Sequence, residues 1–308
     1  MNNTQKHRKI TVSGDLGSGK STICYLLNEA LGYKIYSTGQ LLRELAQKYN
    51  MSIYELNKYA ETHPEIDREI DDTVKKFSFV DENFVFDSRM AWNFIENSFK
   101  IHFITNLDVA AARIYNANRD TEKYGDINET KEMLIKRKLS ENKRYKEIYA
   151  VDTSDLNNYD LVIDTSNSTP EEIKELILDK LAYWEKGEEF QKLWVSPKLL
   201  YPTKSITKLN IDLVDELTNS IESTLENRPI EVVLIDNFFF IINGHARTSA
   251  TLFNDLSFVS IKLLAQDNEE LESNVSALEY VKNNCKKSYI YDWEEGHHFS
   301  YKLIPEFI

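Results

Sequence analysis

Cysteine is nearly missing from this chain. The two present, Cys24 and Cys285, lie far apart, and neither has a second cysteine at metal-ligand spacing. That excludes a disulfide scaffold and a cysteine-rich zinc site, and it fits a reduced, cytoplasmic protein. Six prolines and nine glycines are few, which argues against long disordered segments. No run approaches the roughly 18–20 apolar residues of a membrane helix. The longest, "FFFII", is strand length, and the opening "MNNTQKHRKI" lacks an apolar signal region. Positive charge is also in deficit. With 37 Lys+Arg against 50 Asp+Glu the net charge is −13, which repels nucleic acid, so any phosphate binding must come from local placement. What remains is 308 residues, 42% of them hydrophobic, enough for more than one typical domain and a sizeable core.

The apolar run "KITVSG" reads as a buried strand, and "KSTICYLLNEAL" as a helix stopped by Gly32. "YKIYS", "FVFDS", "KIHFITN" and "DLVIDTS" read as further strands. "TGQLLRELAQKY", "SIYELNKYAE", "VAAARIYNA", a charged stretch from Thr130 to Tyr149, and "TPEEIKELILDKLAYW" read as helices between them. Strands alternating with helices predict a parallel α/β sheet with helices on both faces, a first domain over 1–186. From Glu185 to Ser205 the chain is charged and carries two prolines, and reads as a linker. Residues 187–308 read as a second, α+β domain. It has one helix over "IDLVDELTNSIEST", a hairpin turning at Asp236–Asn237, a helix over "GHARTSATLFNDL" and a strand over "SFVSIKLLA".

Gly14 to Ser21, "GDLGSGKS", matches G-x-x-x-x-G-K-[ST] between a strand and a helix. Phosphate oxygens need donors from several directions. Gly14, Gly17 and Gly19 let backbone amides turn inward, and the helix start beyond Ser18 offers free N–H groups through Ser21 and Thr22. Lys20 reaches the β/γ-phosphates of ATP and Ser21 ligates Mg²⁺. This motif implies nucleotide binding without fixing the reaction. A kinase also needs cations for the acceptor phosphate, an acid near Mg²⁺ and a basic cover. Arg43, one turn into its helix, is a candidate for the first. Asp87, ending its strand, is a candidate metal ligand beside Ser21, and Arg89 follows it. Arg137, Ser140, Glu141 and Arg144 share one helix face, with Arg113 and Arg119 earlier in the chain. A solvated charged face is the plain alternative for that row, and a helix cap for Asp87.

"ITVSGDLGSGKSTICYLLNEALGYKIYSTGQLLRELA" resembles the start of cytidylate kinases, especially archaeal-type members. "MSIYELNKYAETHPEIDREIDD", "FVFDSRMAW", "KRKLSENKRYKEIYAVD" and "YDLVIDTSNSTPEEI" resemble later parts of that family in register, over residues 8–180. The resemblance implies a P-loop nucleoside monophosphate kinase that moves a phosphoryl group from ATP to CMP or dCMP. Carried over by position, Lys20 and Ser21 serve ATP and Mg²⁺. Thr38, Arg43 and Arg89 serve the monophosphate, and Arg137 and Arg144, with Asp87, the catalytic transfer. The sequence departs from the family at Gln40 (usually Asp), Ser88 and Ala150 (usually Gly), and at Asp15 and Leu16 of the loop. The phosphate machinery is kept better than the pieces that shape the acceptor pocket.

In the second half, Gly244 ends a strand and Arg247 falls in the first turn of the next helix, with His245 between them. Backbone donors and one arginine there make a second phosphate site, and His245 adds a donor or an acid/base group. A solvated arginine after a turn glycine is the plain alternative. Residues 193–265 resemble the ParB-like fold, shared with sulfiredoxin, whose Gly-x-x-Arg turn cradles nucleotide phosphates. The sulfiredoxin cysteine is absent. Residues 191–308 carry more acidic than basic side chains, so direct DNA binding is not expected. His297 and His298 beside Glu294 and Glu295 read as a solvated tail. Three readings stay open: a CMP kinase with a ParB-like appendage, a kinase for another small acceptor, or a regulatory ATP-binding switch coupled to that appendage. Nucleotides are the expected partners, no membrane is expected, and a homo-oligomer is compatible with the sequence.

Overall fold

Ile10, Thr11 and Val12 are wholly buried on both faces of the first strand, β1 (Lys9–Gly14). Burial on both faces is what a central parallel strand requires. In the computed structural model, which describes residues 8–52, 55–56, 59, 62–117, 126–272, 274–301 and 303–308, packing divides the chain into two units. The first comprises the described residues up to Val162 together with Pro170–Gly187. The second comprises Ile163–Thr169 and Glu188–Ile308.

In the first unit β1 pairs in parallel with β3 (Phe84–Asp87) on one side and β4 (Phe99–Ile104) on the other. β2 (Lys34–Ser37) pairs in parallel with β3, and β5 (Leu161–Asp164) neighbours β4, giving the order β2-β3-β1-β4-β5. The chain crosses from one side of β1 to the other between β3 and β4. Ligands of such sheets bind outside the carboxyl ends of the strands at that reversal, where the glycine-rich loop follows β1.

The helices begin and end on local signals. Gly32 ends α1 (Lys20–Leu31) in the left-handed region, its amide returning to Asn28. Ser37 caps α2 (Thr38–Lys48) by accepting from the Gln40 amide. α3 (Pro64–Lys76) has proline in its first turn, and α4 (Ala91–Phe94) is a single turn. Asn106 caps α5 (Leu107–Asn116), and Asp126 caps the long α6 (Ile127–Tyr149). α7 (Pro170–Lys186) closes the unit. Leu45, Leu56, Ile66, Ile70, Val74, Phe84 and Phe86 form one core cluster. A smaller one joins Leu16 of the loop to Ala110, Ala111 and Ile114 of α5 and Leu134 of α6. The helix expected over "SIYELNKYAE" lies partly outside the described residues.

The second unit is a mixed sheet in the order β6-β10-β8-β9-β7. Its strands are β6 (Leu193–Val195), β7 (Leu200–Tyr201), β8 (Ile230–Ile235), β9 (Phe238–Asn243) and β10 (Val259–Gln266). β8 and β9 form the expected hairpin. Asp236 and Asn237 both take positive φ at its turn, 48° and 67°, the conformation these residue types tolerate best. The helices are α8 (Ile211–Thr218), α9 (Ile221–Asn227), α10 (His245–Phe253), α11 (Ala277–Asn284) and α12 (Lys287–His297).

Three expectations change. The stretch read as a linker contains β6 and β7, and Leu193, Trp194, Val195, Leu200 and Tyr201 are buried. The single helix over 211–224 is two, broken at Asn219–Ser220, where Thr218 and Asn219 side chains bond the carbonyls of Val214 and Asp215 in competition with the backbone. The tail is part of the core: Ile290, Trp293 and Tyr301 are buried, and Tyr301 stacks on Tyr201. Both cysteines are buried, Cys285 donating to the Pro202 carbonyl. Among the described residues no helix is long and apolar enough to cross a membrane, and no group of three acidic, histidine or cysteine side chains is placed to hold a metal.

Candidate active site

The glycine-rich loop turns at the end of β1. A Cβ on Gly14 (φ 142°) would sit 2.4 Å from the Phe103 carbonyl oxygen, and one on Gly17 (φ 75°) would sit 2.8 Å from that of Ala110. These two glycines let the loop lie directly on β4 and α5. Gly19 (φ 86°) differs, because a Cβ there would meet nothing within 4 Å. Its backbone faces open space at the start of α1, which has no side-chain cap. Ser18 is buried, whereas Ser21 and Thr22 are exposed. Lys20 folds back over the loop and donates to the carbonyls of Gly14 (2.9 Å) and Asp15 (2.8 Å). Burial pushes its ammonium down to about 8, offset in part by Asp87 and Asp15 and reinforced by Arg89.

Asp87 ends β3 opposite Val12 and Ser37. Its Oδ2 accepts a 2.8 Å hydrogen bond from Ser21 Oγ. Ser88, where the resemblance leads one to expect glycine, is buried and shapes the turn: its amide donates to the Val12 carbonyl and its Oγ accepts from the Met90 amide.

The next residue, Arg89, pairs with Glu141 of α6, and the same carboxylate oxygen takes Arg137 Nε at 3.0 Å. One acid thus gathers an arginine from the end of β3 and one from α6. Arg113 donates to the Gly17 carbonyl at 3.3 Å. Arg144 is exposed, its guanidinium 5.5 Å from the Tyr145 ring centre, and Asp67 and Glu141 help hold it charged. Arg43 is exposed on α2, with Nη1 3.8 Å from where a Gly39 Cβ would lie. Thr38 opens that helix, and its Oγ1 is buried without a hydrogen-bond partner among the described residues. Gln40 bonds Glu44 at 3.0 Å, and Ser140 is exposed. Arg119 lies outside the described residues.

Two participants, Lys138 and His102, were missed from the sequence, and a third was seen without its role. Lys138 of α6 reaches Asp15 Oδ1 at 2.7 Å. Glu141 had been placed on the arginine face without its role as their shared partner. His102 on β4 is buried, stacked on Tyr159 with ring centres 4.3 Å apart, and within 2.9 Å of Ser13 Oγ through Nδ1. Ser13 Oγ also lies 3.1 Å from the Ile101 carbonyl oxygen. Burial pushes this imidazole down to about 4. The alternation of a buried strand conceals such a histidine, and helix periodicity shows a face without naming its partner.

In the second unit Gly244 (φ 108°) precedes α10, and a Cβ there would lie 3.1 Å from Arg247 Nη2. The Arg247 guanidinium donates to the carbonyls of Arg228 and Pro229. His245 is buried, and its Nε2 accepts from the Thr203 amide at 3.2 Å. Burial pushes it down to about 3, which keeps it neutral, and it serves the core as an acceptor. The tail histidine His297 is half-buried, its Nε2 2.7 Å from Ser249 Oγ.

The model of the Cytidylate kinase-like family matches residues 9–167. A cytidylate kinase of Thermoplasma volcanium is 37% identical over 186 residues, covering 59% of this chain and 95% of that protein. One of Archaeoglobus fulgidus is 34% identical over 191 residues, 62% of this chain and 99% of that protein. An S-adenosylmethionine-dependent nucleotide dehydratase of Lacinutrix mariniflava is 34% identical over 186 residues, 60% of this chain and 37% of that protein. Among solved structures, a shikimate kinase from Bacteroides thetaiotaomicron aligns with a TM-score of 0.42 at 14% identity, covering 57% of this chain and 98% of that one.

Proposed function

Because this chain belongs to the cytidylate kinase-like family and is a kinase, we propose that it transfers the terminal phosphoryl group of ATP to a nucleoside monophosphate, CMP or dCMP foremost. One observation carries the reading. Arg89 and Arg137 are drawn together on Glu141, and Arg89 adjoins Ser88 and the Asp87 that takes the Ser21 hydroxyl. Donor loop, hard-oxygen pair and arginine pair therefore belong to one site.

Each residue then has a task. The loop amides and Lys20 bind the donor phosphates, and Lys20 exchanges two carbonyls for phosphate oxygens. Ser21 and Asp87 offer only oxygen, 2.8 Å apart, which suits Mg²⁺ held directly or through water. Bound there, Mg²⁺ supplies neutralisation of the phosphate oxygens. Thr38, Arg43 and Arg89 orient the acceptor phosphate, and Arg137 and Arg144 stabilise the charge on the moving group. Glu141 holds Arg89 and Arg137 in place until phosphate oxygens compete for them. The Gln40–Glu44 pair on α2 supports a second reading, in which the acceptor is another small phosphorylated molecule.

For the second unit we read a ParB-like arrangement, supported by the β8–β9 hairpin ending in Gly244 at the start of α10. Binding of a phosphate there requires Arg247 to leave the Arg228 and Pro229 carbonyls.

A panel of nucleoside monophosphates, each incubated with ATP and Mg²⁺, tests the reading. Rapid ADP formation with CMP or dCMP is expected, and Lys20→Met lowers kcat by at least about a hundredfold. Turnover of none of the panel refutes the reaction.

A further inference from the structure

We propose that Lys138 is a positioning residue for phosphoryl transfer: through Asp15 it docks α6 on the phosphate loop and so brings the arginines of that helix to the phosphates. The inference rests on the kinase reading above. Asp15 is unusual because it places a carboxylate in a loop shaped for anions. Four bonds fix it. Its amide donates to the Phe103 carbonyl (2.9 Å), its Oδ2 accepts from the Thr105 amide (3.2 Å), and its carbonyl accepts from Lys20 (2.8 Å) and from the Ser18 amide (3.3 Å). The remaining oxygen, Oδ1, meets Lys138 Nζ at 2.7 Å. The Asp15 side chain is 17% exposed and that of Lys138 57%, so the carboxylate is shielded while the lysine stem crosses from α6.

Two further contacts link the same helix to its surroundings. Leu134 packs in one cluster with Leu16, the residue after Asp15. Lys131 pairs with Asp108 of α5. One turn beyond Lys138, Glu141 holds Arg89 and Arg137. α6 therefore grips the donor loop through Lys138 and the end of β3 through Glu141. A bare carboxylate repels an incoming phosphate chain, and a cation at hydrogen-bond distance cancels that field. Lys138 thus has two effects that substitution can separate: it neutralises Asp15, and it holds the helix.

The test compares wild type with Lys138→Met, with Lys138→Arg, and with Lys138→Met combined with Asp15→Asn. Three quantities are read: calorimetric affinity for a non-hydrolysable ATP analogue, kcat with the preferred monophosphate, and amide hydrogen exchange over 127–149. Lys138→Met is expected to weaken the analogue and lower kcat about tenfold each, and to speed exchange in α6. Adding Asp15→Asn restores affinity to within about threefold, because the unpaired charge is gone, while kcat and exchange stay impaired. Lys138→Arg keeps all three near wild type. Unchanged affinity and exchange in Lys138→Met overturn the proposal. So does a double variant that recovers kcat and exchange together with affinity. If wild type phosphorylates no nucleoside monophosphate, the nucleoside monophosphate reading fails by itself, and the affinity and exchange measurements still decide whether Lys138 docks the helix.

Discussion

Lys20 releases its proton at about 8 in the folded chain, against an ordinary value of 10.5, because burial disfavours its charge. Between those values the unfolded chain holds more protons, so this residue makes stability rise with pH across that window. Phosphate binding needs the charged form and draws the proton back. ATP binding is therefore expected to take up most of one proton at pH 8.5 and to lose about tenfold in affinity per pH unit above that. Calorimetric titrations in two buffers of different ionisation enthalpy measure the uptake, and none at pH 8.5 contradicts the assignment. His102 works in the acid range. Burial pushes it from 6.5 to about 4, so the unfolded chain takes a proton first as pH falls and stability is lost between those values. The loss at pH 5 is about 2 kcal/mol. Urea unfolding at pH 7 and pH 5 is expected to show a decline smaller by that amount in His102→Asn than in wild type.

At the scale of an element, the glycine-rich loop separates packing from binding. Gly14→Ala would push a methyl group into the Phe103 carbonyl, so it is expected to cost more than about 2 kcal/mol in urea melts. Gly19→Ala meets no neighbour. It carries only the backbone strain of about 1–2 kcal/mol, and its main effect is expected on ATP affinity, because its methyl group enters the open space at the start of α1. Glycine spacing after an apolar strand made this loop legible in the sequence, since few other arrangements need those residue types. The hairpin at Asp236–Asn237 was legible for the same reason. Interactions between distant elements were not. Lys138 and Asp15 are each unremarkable on a charged helix and in a loop, and their pairing exists only once α6 is folded beside α5 and the loop. The break at Asn219–Ser220 escaped because amphipathic spacing continues across it. The buried tail escaped because "YDWEEGHH" is polar by composition, although Ile290 and Trp293, three apart, point the same way.

For the whole molecule, two units with separate cores predict two unfolding transitions in calorimetry. Saturating ATP with Mg²⁺ at a hundred times Kd adds about 2.7 kcal/mol to the unit that binds it. Only the transition of the glycine-loop unit is expected to move, and Lys20→Met removes the shift. Movement of both transitions together would show that the units unfold as one. The cysteines give this protein one more useful property. Cys24 is fully buried, Cys285 is 5% exposed, and burial pushes both thiols above their ordinary range, the latter to about 12. Neither will react quickly with a maleimide. A cysteine introduced at Leu139, 65% exposed on α6, would therefore take a fluorophore or spin label against a silent background, and the natural thiols could stay while the surroundings of that helix are monitored as ATP is added.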